Sequence, residues 1–177
     1  MDDSREVYIS LGGNMGDVIT AIGKALKMID ELPEISSVVC SRLYQTTPVG
    51  GIPQQDYVNA MCRIKTTLSP KELFDAMKKI EISFGPRSAT RNAPRFLDLD
   101  IIFYGTEKYQ DSRLEIPHPR WRERLFVVKP LMDLTEQIPL PDLAGGYTWF
   151  DLQAYFKEFP NVHQETVTPL EIDRKQA

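Results

Sequence analysis

A chain of 177 residues, 42% hydrophobic and 26% charged, has room for one well-packed domain and little more. Its net charge of -4 and isoelectric point near 5.3 argue against a surface built to grip nucleic acid, so any basic chemistry must be local. No apolar run is long enough to span a bilayer. The polar start Met1-Asp2-Asp3-Ser4-Arg5-Glu6 lacks the pattern of a secretory leader, and Cys40 and Cys62 read as free thiols within strands, all of which predicts a cytoplasmic protein that needs neither membrane nor nucleic acid.

Residues 7–11 predict a first strand, closed by the turn-rich Gly12-Gly13-Asn14-Met15-Gly16. Ile22, Ala25, Leu26 and Ile29 recur at helical spacing and predict a helix over 18–31, ended by Pro33. A second strand is expected over 35–44, then a loop carrying Pro48, Gly50, Gly51 and Pro53. From residue 57 to 65 the chain alternates: Val58, Ala60, Cys62 and Ile64 face one way, and Tyr57, Asn59, Met61 and Arg63 the other, as in a half-buried antiparallel strand. Ser69-Pro70-Lys71-Glu72 is a capping box with proline in the first turn. The helix it starts has the apolar stripe Leu73, Met77, Ile80 and Phe84 and stops at Gly85.

An arginine-rich loop over 86–94 leads into an apolar strand over 96–104, which Gly105-Thr106 is expected to turn into a short hairpin partner. Residues 111–124 read as irregular, the apolar run 125–134 is too short to assign, and Thr148-Trp149-Phe150-Asp151 opens a last short helix. The order β-α-β-β-α-β predicts an α+β fold, a ferredoxin-like antiparallel sheet with helices packed on one face. The expected organisation is a single domain over 1–160, a polar surface tail over 161–177, and a monomer.

Asp98 and Asp100 sit two apart in a strand whose other positions, Leu97, Leu99, Ile101 and Phe103, are apolar. Alternation puts both carboxylates on one face, roughly 7 Å apart. Beside a core strand such a pair is costly unless neutralised. Magnesium does so with one or two carboxylates plus phosphate oxygens and water, and paired ions recur in phosphoryl transfer. The alternative is a face open to water on which both are solvated.

Seven of the eleven arginines (87, 91, 95, 113, 120, 122 and 124) flank this pair, with Lys108 the only lysine among them. Their planar fork of donors suits phosphate oxygens. Arg91, Arg95, Arg113 and Arg124 are assigned to polyphosphate; Arg120 and Arg122 are assigned to salt bridges with acidic neighbours. No P-loop, dinucleotide fingerprint or protein-kinase signature occurs, so a nucleotide would be held by arginines and metal. His118 is either a structural histidine or a donor to phosphate. Tyr57 and Asn59 pair a flat ring with a two-sided amide, suited to a planar heterocycle or to an ordinary sheet face. Phe126 alone reads as core.

Arg95-Phe96-Leu97-Asp98-Leu99-Asp100-Ile101 resembles the signature of the 6-hydroxymethyl-7,8-dihydropterin pyrophosphokinase family. The similarity extends in order through Leu11-Gly12-Gly13-Asn14, Tyr44-Gln45-Thr46-Thr47-Pro48, Tyr57-Val58-Asn59-Ala60, Glu81, Ile116-Pro117-His118-Pro119, Arg124-Leu125-Phe126 and Pro130-Leu131, over about residues 6–155. The resemblance implies transfer of diphosphate from ATP to the pterin hydroxymethyl group in folate biosynthesis, with AMP as the other product. It implies two magnesium ions on Asp98 and Asp100, and catalytic roles for Arg91, Arg95, Asp98 and Asp100. Thr46, Thr47, Val49, Tyr57, Asn59 and Phe126 would bind the pterin. Glu81, Arg87, Arg95, Ile101, Arg113, Leu114, Glu115, His118 and Arg124 would bind ATP. Loops at 12–16, 48–53 and 85–94 would close over the substrates. The chain departs from the family pattern at Asn92, which replaces a tryptophan, and at Gly85-Pro86-Arg87, where the arginine loop is one residue shorter.

Two other readings compete. A nucleotidyl transferase or cyclase uses strand carboxylates on a similar sheet, but no template or second nucleotide site is evident. A non-catalytic RNA-binding sheet would need surface aromatics in a characteristic run, which is absent.

Overall fold

The computed structural model describes residues 1–48, 53–86, 90, 93–161 and 164–171. In chain order its elements begin with β1 (Arg5–Gly13), α1 (Val18–Asp30), β2 (Ile35–Cys40), β3 (Tyr44–Thr46), β4 (Tyr57–Thr66), α2 (Pro70–Ser83) and β5 (Asp98–Tyr104). After these come β6 (Tyr109–Gln110), β7 (Glu115–Ile116), a 3-10 turn (Trp121–Glu123) and α3 (Leu125–Met132). The chain continues with β8 (Gln137–Pro141), β9 (Tyr147–Asp151), α4 (Leu152–Lys157) and β10 (Val167–Pro169).

β1 is buried on both sides because it lies between β4 and β5, antiparallel to each. β2 and β3 pair with successive stretches of β4 along its other edge, and β10 pairs with β3. The single strand expected over 35–44 is therefore two. At the break, Ser41 N–H donates to the Met61 carbonyl, while Met61 N–H donates to the Ser41 hydroxyl, so a side chain replaces a backbone acceptor. The stretch after Pro160, expected as a surface tail, supplies β10 instead, with Glu165 and Val167 buried. Three residues of strand are too few for any periodicity to have announced it.

Val7, Ile9, Leu11, Cys62, Ile64, Leu99 and Ile101 form one sheet face, covered by Ile22 and Ile29 of α1 and Leu73 and Met77 of α2. Each such side chain contributes about 1.5–3 kcal/mol by leaving water. Asp17 caps α1 by accepting from Thr20 N–H, and the expected capping box of Ser69 and Glu72 starts α2. Gly85 follows α2 with φ +144, a backbone conformation that side chains avoid.

The opposite face is covered too, where the sequence placed helices on one face only. Tyr8, Met61 and Phe103 pack there against Trp121, Val127, Val128 and Leu131, with Leu152 of α4 and Ile138 of β8 behind. α3 is short and apolar almost all round, so its sequence shows no amphipathic stripe. Two further expectations change. Gly105 turns the chain after β5, but β6 pairs with β7 rather than folding back. Residues 148–151 belong to β9, and only Asp151 opens α4, as its N-cap.

Candidate active site

Strand register brings the polar residues together. Gly12 is paired with Asn59 on one side and Asp98 on the other, and Ser10 is paired with Met61 and Asp100. Side chains alternate along each strand, so Asn59, Ser10, Asp98 and Asp100 all project toward α3. A Cβ on Gly12 would lie 2.1 Å from Asn59 Nδ2, so glycine keeps open the strip between amide and carboxylates. Asn59 is buried, and its Oδ1 accepts the Thr46 hydroxyl at 2.7 Å. That bond leaves the Nδ2 amino group beside Gly12.

These residues line a cavity of about 180 Å³. Tyr57 and Phe126 supply its rings, Thr46 and Thr47 one wall, and Arg95 and Arg124 its charge opposite the carboxylates. The Tyr57 hydroxyl donates to Ala93 O at 3.3 Å, and the Arg124 guanidinium lies 5.5 Å from the Phe126 ring centroid. Arg95 Nη1 is 3.2 Å from Asp98 Oδ1, both side chains largely sheltered. Burial pulls Arg124 below its ordinary value, opposed by Asp100. His118 stands behind it, Nε2 lying 3.5 Å from Arg124 Nη1. Burial, then Arg124, lowers its pKa against the pull of Asp100. His118 Nδ1 accepts Arg120 N–H at 3.1 Å, so the neutral ring carries its proton on Nε2.

A smaller cavity adjoins, sharing Arg95 and Asp98 and walled by Glu81, Gly85 and Phe96. Glu81 is buried, accepting Leu99 N–H at 3.0 Å and Lys78 Nζ at 3.0 Å. Its carboxylate thus satisfies the outer edge of β5. The remaining ATP candidates lie apart from the main cavity. Ile101 and Leu114 are in the core beneath α1 and α2, Glu115 is exposed on β7, and Arg113 pairs with Asp75 at 3.2 Å over the Phe74 ring. Val49, Arg87 and Arg91 lie outside the described residues.

Three further residues belong to the site: Ser10 was not singled out by sequence, and Gly12 and Asn14 were named only within a family motif and a loop expected to close over the substrates. Ser10 and Gly12 line the cavity; their signal was a serine and a glycine two apart in an apolar strand. Asn14 staples the loops. Its Oδ1 accepts Arg95 N–H at 2.9 Å, while its Nδ2 donates to Gln55 O at 2.8 Å and Gln54 Oε1 at 2.9 Å. Gly13 permits this approach, since a Cβ there would meet Phe96 O at 2.3 Å.

Among the described residues no three His, Cys, Asp or Glu side chains converge as a metal site. Two carboxylates alone are a poor donor set for zinc, which wants histidine and cysteine. They suit magnesium, which completes its shell from phosphate and water.

A profile of the 7,8-dihydro-6-hydroxymethylpterin-pyrophosphokinase (HPPK) family matches residues 8–136. The chain belongs to this family. The match to the HPPK profile runs from β1 to the residue before β8 and contains every residue lining the main cavity. A relative from Haemophilus influenzae, 2-amino-4-hydroxy-6-hydroxymethyldihydropteridine pyrophosphokinase, is 40% identical over 135 residues, which are 76% of this chain and 84% of that protein. The bifunctional protein FolKE of Lactococcus lactis is 36% identical over 73% of this chain but only 37% of its own length. The folic acid synthesis protein fol1 of Pneumocystis carinii is 35% identical over 94% of this chain and 22% of its own length. This HPPK chain thus spans most of one relative and a minor part of two longer ones. Among solved structures, a triple mutant of Plasmodium falciparum HPPK-DHPS with pteroate superposes with a TM-score of 0.64 over 88% of this chain and 43% of that one. At 12% identity that likeness concerns the fold.

Proposed function

We infer that the chain transfers the β,γ-diphosphate of ATP to the hydroxymethyl oxygen of 6-hydroxymethyl-7,8-dihydropterin, a step of folate biosynthesis. One observation carries this reading beyond family membership: two aromatic rings and a buried amide line the same cavity as a carboxylate and guanidinium cluster. Tyr57 and Phe126 sandwich the pterin. Asn59 Nδ2, left available by the bond from Thr46 to Oδ1, donates to its polar edge, Thr47 completes that wall, and Val49 is assigned to the pterin by family resemblance. The hydroxymethyl group then points toward Asp98 and Asp100.

Phosphoryl transfer needs positioning and charge balance more than covalent help. The pterin hydroxyl loses its proton, its oxygen bonds to the β-phosphorus, and the bond from that phosphorus to the bridging oxygen of the α-phosphate breaks, releasing AMP. Asp98 and Asp100 are the proposed ligands of two magnesium ions, which when bound supply charge neutralisation and polarisation of the phosphoryl oxygens. Arg95 and Arg124 hold phosphate oxygens, and His118 donates to one through Nε2. Arg91 and Arg87 act on the same phosphates by family resemblance. Glu81, Ile101, Arg113, Leu114 and Glu115 are assigned to the nucleotide side, Arg113 exchanging Asp75 for ATP.

The strand order β5-β1-β4-β2, all antiparallel with α1 and α2 on one face, supports a ferredoxin-like centre. A single domain, a monomer and a cytoplasmic location complete the proposal; no helix among the described residues is long and apolar enough to cross a membrane.

The test is turnover with ATP, magnesium and the reduced pterin alcohol. AMP is expected to form one-for-one with the pterin consumed and only when all three are present. ADP as the nucleotide product would overturn the reaction class.

A further inference from the structure

The helix that carries Phe126 begins without a cap of its own. Arg124 is the N-cap residue of α3 and makes no capping hydrogen bond with its side chain. A guanidinium has no acceptor to offer, and its charge is on the wrong side of the helix dipole. The missing acceptor arrives from forty residues downstream. Glu165 Oε2 accepts Leu125 N–H at 3.0 Å, with Glu165 buried at 7% exposure. Glu165 is held in turn by Asn161, whose Oδ1 accepts Glu165 N–H at 2.8 Å and whose Nδ2 donates to Glu165 O at 2.9 Å.

The next residues grip the opposite wall of the cavity. Thr47 N–H donates to Thr166 O at 3.1 Å, and Thr166 N–H donates to the Thr47 hydroxyl at 3.0 Å. Lys129 Nζ of α3 donates to Val167 O at 2.6 Å, and Val167 packs with Tyr44, Leu125 and Phe126. One short segment therefore ties the Thr46–Thr47 wall to the first turn of α3. It lies beyond the family match, which ends at residue 136.

We propose that Glu165 is a positioning residue for the pterin: by capping α3 it fixes Phe126 against the Thr47 wall and so sets the slot that receives the ring. The proposal rests on the diphosphotransferase reading above. Arg124 also feels the attraction of Asp100 on β5, outside this clamp, so the nucleotide side depends less on it.

The test is steady-state kinetics of Glu165→Ala, Glu165→Gln and Asn161→Ala, with pterin and ATP varied separately. Loss of a cap is expected to raise the pterin KM about fivefold in Glu165→Ala, with kcat and the ATP KM within about twofold of wild type. Glu165→Gln keeps an acceptor oxygen and is expected to recover most of the loss. Asn161→Ala loosens the same turn and is expected to shift the pterin KM in the same direction. If Glu165→Ala does not fold, Asn161→Ala decides by the same criterion. An unchanged pterin KM, with only the melting temperature or the active fraction lowered, would reduce Glu165 to a fold-stabilising residue and overturn the proposal. Absence of wild-type turnover with the pterin would instead remove the functional reading and this proposal together.

Discussion

Gly12→Ala tests the link between strand register and ligand recognition at its tightest point. The new Cβ would sit 2.1 Å from Asn59 Nδ2 and 3.2 Å from Asn59 Cγ, where ordinary contact begins at 3.4 Å. The amide must retreat by roughly 1 Å or more. It cannot do so freely, because Asn59 is buried and its Oδ1 is bound to the Thr46 hydroxyl at 2.7 Å. Losing that buried hydrogen bond costs about 1–3 kcal/mol of stability. Losing one or two neutral hydrogen bonds to the pterin removes about 1–3 kcal/mol of binding, or about 5- to 150-fold in Kd. Arg95 and Arg124 are untouched, so affinity for a non-hydrolysable ATP analogue is expected to stay within about twofold. Calorimetric titration of each ligand, with a denaturant melt for stability, reads all three quantities. In an Asn59→Ala background the same glycine substitution is expected to add little, since the atom it displaces is gone. A pterin Kd for Gly12→Ala within twofold of wild type, or an equal penalty in both backgrounds, would refute the reasoning.

Asp100→Asn is expected to lower kcat about 100-fold or more while the protein melts no earlier than wild type; a folded variant with near-normal turnover would remove the metal assignment. Glu81→Ala strips the acceptor from Leu99 N–H and the partner from Lys78, so urea melts are expected to show a loss of about 1–3 kcal/mol, partly recovered in Glu81→Gln. An unchanged midpoint would deny Glu81 its role at the β5 edge. Burial and Arg124 lower the His118 pKa from its ordinary value of 6.5, so the unfolded chain takes up that proton more readily than the folded one. Its contribution is therefore intact above about pH 6.5 and is lost as pH falls toward the lower folded value. Urea midpoints between pH 7.5 and 5.5 are expected to fall less steeply in His118→Gln, and parallel losses would contradict this.

Local chemistry was legible in the sequence where a few residues decide it. The capping box at Ser69 and Glu72 survives in the structure. Tyr57 and Asn59 share a face as expected, although β4 is buried on both faces along 59–62 rather than half-buried. The carboxylate pair was legible for the same reason, as two acids at period two in an apolar strand. What was hidden depends on partners distant in sequence. That Gly12 lies between Asn59 and Asp98 is a matter of register across three strands, and alternation within one strand does not fix it. The break at 41–43 depends on a serine hydroxyl finding Met61. α3 has too uniform an apolar surface to show a helical period, and β10 is recognisable only once β3 is there to receive it.

The central claim is that the β-phosphorus of ATP is the atom attacked. Turnover of ATP labelled at the β-phosphorus, with magnesium and the reduced pterin alcohol, tests it most directly. The label is expected to leave the nucleotide entirely and to appear in the pterin product, with unlabelled AMP formed in equal amount. Label retained on the nucleotide as ADP, with a single phosphate on the pterin, would contradict it.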